Sequence, residues 1–236
     1  MLSELKLPIQ TLIFDFDYTL VDSAQGTIDG VNFAFSQMGL PLASDDTIRR
    51  TIGLSLPDIL TALAGEVYTK HVDEFTRLFL QRADETMVAL AEFFAGVPQT
   101  IKTLQRLGIQ LAIVSQKNRH YIQGILAKEN LVDAFPVIVG GGDAAYKPNP
   151  EGLLLAVAQT SGTPEQCVYV GDSVTDAETA RRAGITFIAV LSGVTPREAF
   201  EDYDVYAVLD GASDLLGLEL LKGWQNSCTL LFDKIL

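Results

Sequence analysis

The chain has 236 residues, 48% of them hydrophobic, which provides for a sizeable core and excludes disorder as a description of the whole. Lys plus Arg number 17 against 30 Asp plus Glu, and the net charge of −13 excludes a nucleic-acid or anionic-membrane surface as the main partner. No apolar run is long enough to span a bilayer, and Met1–Lys6 lacks the basic and apolar regions of a signal peptide, so a cytoplasmic location is expected.

The first predicted element is a strand. Residues 12–16 are apolar except for Asp15, and the chain then turns acidic and hydroxylic through Asp17-Tyr18-Thr19-Leu20-Val21-Asp22-Ser23. Residues 24–40 carry Ile28, Val31, Phe35 and Met38 at helical spacing, and Gly39 stops that helix. Ser44-Asp45-Asp46 predicts the N-cap of a short helix holding Ile48 and Ile52. Gly53-Leu54-Ser55-Leu56-Pro57 breaks it, and a further helix is predicted over Pro57–Leu63. A longer helix is predicted over residues 69–92, with Val72, Phe75, Leu78, Phe79 and Met87 near one face. No strand-like alternation occurs between residues 24 and 92, so an all-helical insert is expected directly after the first strand.

From Gly96 the pattern alternates between helix and strand. Helices are predicted from Pro98 to Gly108, around 119–129, from Asn149-Pro150-Glu151 to Gly162, and from a capping box at Thr175-Asp176-Ala177-Glu178 to Gly184. Strands are predicted at 110–114, 137–139, 167–170, 186–190 and 205–209. This order implies an α/β fold, with a mostly parallel sheet and helices on both faces. The α/β domain is expected to comprise residues 1–20 and 93–236, and the helical insert residues 21–92. Trp224 and Leu230-Leu231-Phe232 are expected to fold back on the core. Cys167 and Cys228 lack metal-like spacing and are expected to be free thiols, and His71 and His120 are too isolated for a zinc cluster.

The chemistry-bearing residues fall at strand ends. A buried strand gains nothing from ending in two unpaired carboxylates, so Asp15 and Asp17 call for partners, and a metal cation and a phosphoryl group suit them. Ser115 ends the next strand of the core, and Gly171-Asp172-Ser173-Val174-Thr175-Asp176 ends another. Lys147 stands just ahead of a helix. Taken singly, these are a turn serine, a surface lysine and a strand-to-helix turn; their joint placement is the signal.

In order and separation, Asp15-x-Asp17-x-Thr19, Ser115, Lys147 and Asp172 to Asp176 resemble the four motifs of the haloacid dehalogenase-like (HAD) superfamily. The insert stands where that superfamily carries its helical C1-type cap, on a Rossmann-like core. The branch most resembled is that of the phosphoglycolate phosphatases and pyrophosphatases. The resemblance implies a Mg²⁺-dependent phosphatase that hydrolyses a small phosphomonoester through an aspartyl-phosphate. Asp15 would be the nucleophile and Asp17 the general acid and base. The Asp15 and Asp172 side chains and the Asp17 carbonyl would hold the metal. Thr19, Ser115 and Lys147 would bind the phosphate, with Asp176 and Ser173 behind the ligands. Gly53, Leu54 and Ser55 would form the substrate loop of the cap. The implied partner is a small phosphorylated metabolite, with no nucleic acid and no membrane, and the chain would be a monomer or homodimer. One departure stands out: Tyr18 occupies the position where the family usually has glycine.

A β-phosphoglucomutase-like phosphomutase would carry a His and Lys pairing near the start of its cap, and residues 24–66 contain neither. Pyrophosphate remains open as a substrate. The dehalogenases of the family lack the second aspartate of the first motif, so Asp17 argues against that chemistry. A non-catalytic binding protein would have a broken motif set, and here every charged member is present. Arg49 and Arg50 are read as a solvated helix face.

Overall fold

The first strand, β1 (Thr11–Phe14), is buried along its whole length. Leu12 and Phe14 enter one apolar cluster and Ile13 enters another, so consecutive side chains feed opposite faces of a sheet covered on both sides. This is why the segment reads as a continuous apolar run. The computed structural model describes residues 9–160 and 162–221. Trp224, Cys228 and Leu230-Leu231-Phe232 lie outside them, as does Met1–Lys6.

After β1 the chain forms a two-residue strand, β2 (Val21–Asp22), and four helices: α1 (Ala24–Gln37), α2 (Asp45–Arg49), α3 (Leu56–Ala64) and α4 (Val72–Leu90). It returns through β3 (Glu92–Phe93), which pairs antiparallel with β2, Val21 facing Phe93. The segments that enter and leave the helical insert are therefore tied to each other. Strands of two residues are too short to show alternation, so neither was predicted. The remaining elements are α5 (Val97–Arg106), β4 (Gln110–Val114), α6 (Arg119–Lys128), β5 (Val137–Val139), α7 (Glu151–Gln159), β6 (Cys167–Gly171), α8 (Val174–Ala183), β7 (Thr186–Val190) and β8 (Val205–Leu209).

The six longer strands form one parallel sheet in the order β5-β4-β1-β6-β7-β8. Ile101 and Leu104 of α5 and Ile122 and Ile125 of α6 pack on one face. Leu153 and Ala156 of α7 and Ala177 and Ala180 of α8 pack on the other. The expected α/β architecture is thus present. Because β4, β1 and β6 are neighbours and point the same way, their carboxyl ends bring Ser115, Asp15 and Asp172 to one edge of the sheet.

The insert has its own apolar cluster, with Ile28, Val31 and Phe35 of α1 against Phe75, Phe79 and Met87 of α4. Two predicted helices are shorter than expected. The helix predicted over 69–92 begins at Val72, because residues 66–71 form a tighter 3₁₀ turn in which the Thr69 hydroxyl donates to the Glu66 carbonyl at 2.8 Å. The helix predicted to hold Ile52 ends at Arg49, where the Thr51 hydroxyl donates to the Ile48 carbonyl at 2.7 Å. No helix among the described residues is long and apolar enough to cross a membrane.

Candidate active site

Asp15 sits immediately beyond β1, and its N–H continues the sheet by donating to the Val170 carbonyl at 2.9 Å. The chain then makes a tight turn in which the N–H groups of Leu20 and Val21 both donate to the Phe16 carbonyl. At its apex Tyr18 has φ 60°, the left-handed region where glycine carries no steric penalty. That geometry accounts for a glycine preference at this position. Here the Tyr18 N–H donates to the Val21 carbonyl at 2.7 Å, and Ser192 Oγ donates to the Tyr18 carbonyl at 2.6 Å. The ring is buried in the helical cluster.

Lys147 is the hub of the buried polar network. Its Nζ donates to Asp15 Oδ1 at 2.8 Å, to Asp176 Oδ1 at 2.7 Å and to the Tyr169 hydroxyl at 3.3 Å. Tyr169 in turn donates to Asp176 Oδ1 at 2.8 Å, while Ser173 donates to Asp176 Oδ2 through its hydroxyl at 2.6 Å and its N–H at 3.1 Å. Both oxygens of Asp176 are thus filled by protein donors, and the residue aims Lys147 at Asp15. The capping box of α8 is formed by Ser173 and Asp176, two residues earlier than predicted, and Glu178 instead pairs with Arg181 and Arg182 on the surface. Burial pulls the Lys147 ammonium down, but the Asp15 and Asp176 carboxylates outweigh it and hold the ammonium above its ordinary range. Burial pushes the Asp15 carboxyl up to about 7, against the opposing pull of Lys147. Burial, then the charges of Asp176 and Asp15, push Asp172 well up.

Asp172 is oriented by Thr19, whose fully buried hydroxyl donates to Oδ1 at 3.1 Å. The structure therefore places the Thr19 hydroxyl behind a carboxylate and not in an open phosphate pocket. Gly193 packs so closely on Asp172 that any side chain there would collide with Oδ2. Gly171 plays the same part for Asp176, with an added Cβ only 2.6 Å from its Cγ. Carboxylate oxygens of Asp15, Asp172 and Asp176 all lie within 4.8 Å of one another. Among the described residues, nothing donates to Oδ2 of Asp15 or of Asp172. Two free oxygens of this kind fit a hard divalent cation such as Mg²⁺.

The Asp17 side chain points elsewhere. Its Oδ1 accepts from Ser23 Oγ at 2.5 Å and lies 3.1 Å from Lys117 Nζ. It lines a cavity of about 70 Å³ between the sheet edge and the helical insert, together with Lys117, Gln116, Gly53, Leu54 and Met87. Gly53 reaches the core directly, because its carbonyl accepts from Gln116 Nε2 at 2.7 Å. Gly53 and Leu54 line this cavity, whereas Ser55 is not among its lining residues. Its hydroxyl donates to Asp58 Oδ2 and accepts from the Asp58 N–H, capping α3. Ser115, buried beside this loop, uses its Oγ to accept the Lys117 N–H at 3.3 Å.

A family model described as haloacid dehalogenase-like hydrolase matches residues 12–190, from β1 through β7. The chain belongs to this family. A haloacid dehalogenase-like hydrolase of Bacteroides fragilis superposes with a TM-score of 0.84 at 35% identity, covering 88% of this chain and 99% of that one. A phosphoglycolate phosphatase of Pseudomonas syringae pv. syringae is 28% identical over 222 residues, covering 89% of this chain and 79% of that protein. One from Salmonella paratyphi A is 29% identical over 230 residues, covering 88% and 91%. On this HAD-type framework, sequence reasoning missed Tyr169, Lys117, Gln116 and Ser23 as parts of the site. Tyr169 carried a usable signal: a tyrosine in a fully buried strand must find a partner for its hydroxyl.

Proposed function

We propose that this hydrolase is a Mg²⁺-dependent phosphatase that removes the phosphoryl group from a small phosphomonoester by way of an aspartyl-phosphate on Asp15. The observation that carries the reading is the pairing of Lys147 with Asp15. Lys147 holds the Asp15 carboxylate in place through Oδ1, and its ammonium beside that carboxylate is able to bind an incoming phosphoryl oxygen. Oδ2 of Asp15 and of Asp172, with the Asp17 carbonyl, would hold the metal. Mg²⁺ would supply positive charge that draws Asp15 into its ionised form and offsets the charge of the phosphoryl group. Ser115 would bind a second phosphoryl oxygen. Asp17, with Lys117 and Ser23 both on Oδ1, keeps Oδ2 free to protonate the leaving oxygen and then to take a proton from water.

The helical insert, residues 21–92, would act as a lid over an α/β core of residues 1–20 and 93–236, excluding water during transfer. The β2–β3 pair ties its two strands of connection together, which suits motion as one piece. The cavity beside Asp17 supports a small leaving group over a hexose. Cys167 is buried and free, which fits a reducing compartment and a cytoplasmic location. The test is phosphate release from a panel of phosphometabolites with and without Mg²⁺. Phosphoglycolate is the reference substrate, as the relatives' names suggest. Release that needs the metal supports the reading, and full turnover in chelator overturns it.

A further inference from the structure

Gln116 is divided between two environments. Its Nε2 is fixed on the Gly53 carbonyl of the insert, while its Oε1 is buried with no hydrogen-bond partner. It is the one such side-chain atom among the described residues. The orientation of the amide is dictated by Gly53: turned over, it would set oxygen against oxygen. A buried acceptor without a donor is rare in native proteins and calls for one, supplied by a water or by a ligand. Gln116 and Gly53 both line the cavity beside Asp17, where the carbons of a leaving alcohol would sit once Asp17 protonates its oxygen. At ~10–15 Å³ for one water position, the cavity holds a fragment of a few heavy atoms. The cationic head nearest to it, Lys117, is engaged by Asp17 at 3.1 Å, and its positive charge disfavours an ammonium as the missing donor. The rest of the lining is largely apolar, including Ile52, Leu54, Phe79 and Met87.

We propose that Gln116 is a specificity-determining residue whose Oε1 accepts a hydrogen bond from a hydroxyl on the leaving alcohol. The preferred substrates are then phosphate esters of short diols or polyols, and esters that present only apolar atoms or acceptors at that end, phosphoglycolate with its carboxylate among them, are poorer. This rests on the phosphatase reading above and narrows it. A site built around an unpaired polar atom discriminates against the analogue that lacks its partner, because the atom then stays unpaired.

The test compares 3-hydroxypropyl phosphate with propyl phosphate, using an aryl phosphate as a reference, in the wild type and in Gln116→Met. The wild type should favour the hydroxylated ester in kcat/KM by about tenfold or more, and in Gln116→Met that ratio should collapse to about one. A purely structural role for the Gly53 bond would lower both esters together and leave the ratio intact, which would overturn the proposal. A wild-type ratio near one would also overturn it, as expected if water alone satisfies Oε1. Inhibition by 3-hydroxypropylphosphonate against propylphosphonate reads the same preference through binding, and Gln116→Leu replaces the Met variant if that fails to fold. If no ester releases phosphate, the aryl phosphate included, the phosphatase reading itself fails. If the aryl phosphate turns over without discrimination between the alkyl esters, only the role of Gln116 fails.

Discussion

The Tyr18 hydroxyl accepts from Arg49 Nη1 at 3.5 Å, so the turn that carries the two aspartates reaches a helix of the insert through one side chain. Arg49 is accordingly half-buried over the phenol, unlike the exposed Arg50 and unlike the solvated face expected for both. Burial pushes the Tyr18 hydroxyl above its ordinary range, so it stays a neutral phenol at working pH.

Two effects oppose each other at Tyr18, and their sizes decide the outcome. Relief of a left-handed conformation in Tyr18→Gly returns ~1–2 kcal/mol, while loss of a buried aromatic ring costs ~3–5 kcal/mol. The variant should therefore be destabilised by roughly 1–4 kcal/mol in denaturant melts. Tyr18→Phe keeps the ring and loses only a contact at the edge of hydrogen-bond range, so it should stay within about 1 kcal/mol of wild type. A stabilised glycine variant would mean that the ring contributes little to the insert.

Removing Lys147 leaves Asp15 and Asp176 buried without their shared cation. Breaking a buried ion network in this way costs ~3–5 kcal/mol, so Lys147→Met should lose about that much at pH 8 without metal, together with turnover. The sign with pH follows from Asp15, whose carboxyl is already raised by burial while Lys147 opposes the rise. Without Lys147 the folded carboxyl rises further, so the folded state holds a proton that the unfolded state releases. The variant's deficit should shrink as pH falls toward 5. Melts at pH 5 and pH 8 check this, and an equal deficit at both would place the main effect elsewhere.

Metal binding should be linked to protons. Asp15 is pushed up to about 7 from an ordinary 3.8, so between these values the metal-free folded state binds more protons than the unfolded state, and its stability falls as pH rises through that window. A divalent cation needs the carboxylate, so the apparent Mg²⁺ affinity should strengthen from pH 6 to pH 8, with protons released on binding. Calorimetry at pH 6.5 in two buffers of different ionisation enthalpy reads the proton count directly. Affinity that does not change over this range would mean that Asp15 is not a ligand.

What the sequence made legible follows from range. The strand ends at Asp15 and Asp172 were visible because an apolar run stopped at a charge, a pattern contained within a few residues. Lys147 was visible only by its place among the others. Gln116 and Gly53 lie 63 positions apart; Gly53 was visible only through the family resemblance, and nothing local distinguishes Gln116 from an ordinary loop residue. The same holds for Gly193 beneath Asp172, and for Tyr169 and Lys147, 22 positions apart, which meet because the middle of a strand and a loop converge. The Ser55 side chain has a structural task with a local reason: a serine ahead of a helix is claimed by its N-cap, and Asp58 completes that claim.

The last prediction separates nucleophilic attack from proton transfer. Asp15→Asn removes the attacking carboxylate, so no aspartyl-phosphate can form and turnover should be lost. Asp17→Asn is different, because the asparagine keeps an oxygen that Ser23 and Lys117 can still donate to, and neither Asp15 nor Asp172 is touched. Its fold and its binding of Mg²⁺ should survive, with some loss of stability from Lys117, which is buried and loses its counter-charge. What disappears is the proton donor for the leaving oxygen and the base for water. Such groups contribute ~10²–10⁴-fold, so turnover of an alkyl phosphate should fall by about that factor. An aryl phosphate has an acidic leaving group that needs little protonation, so its first half-reaction should remain fast while hydrolysis of the aspartyl-phosphate stays slow. Rapid mixing should then show a burst of one phenolate per site, followed by a slow steady state, and acid quench should trap phosphate on the protein at Asp15. Wild-type rates for Asp17→Asn on an alkyl phosphate would remove Asp17 from the acid–base role and reopen the question of which reaction this site performs.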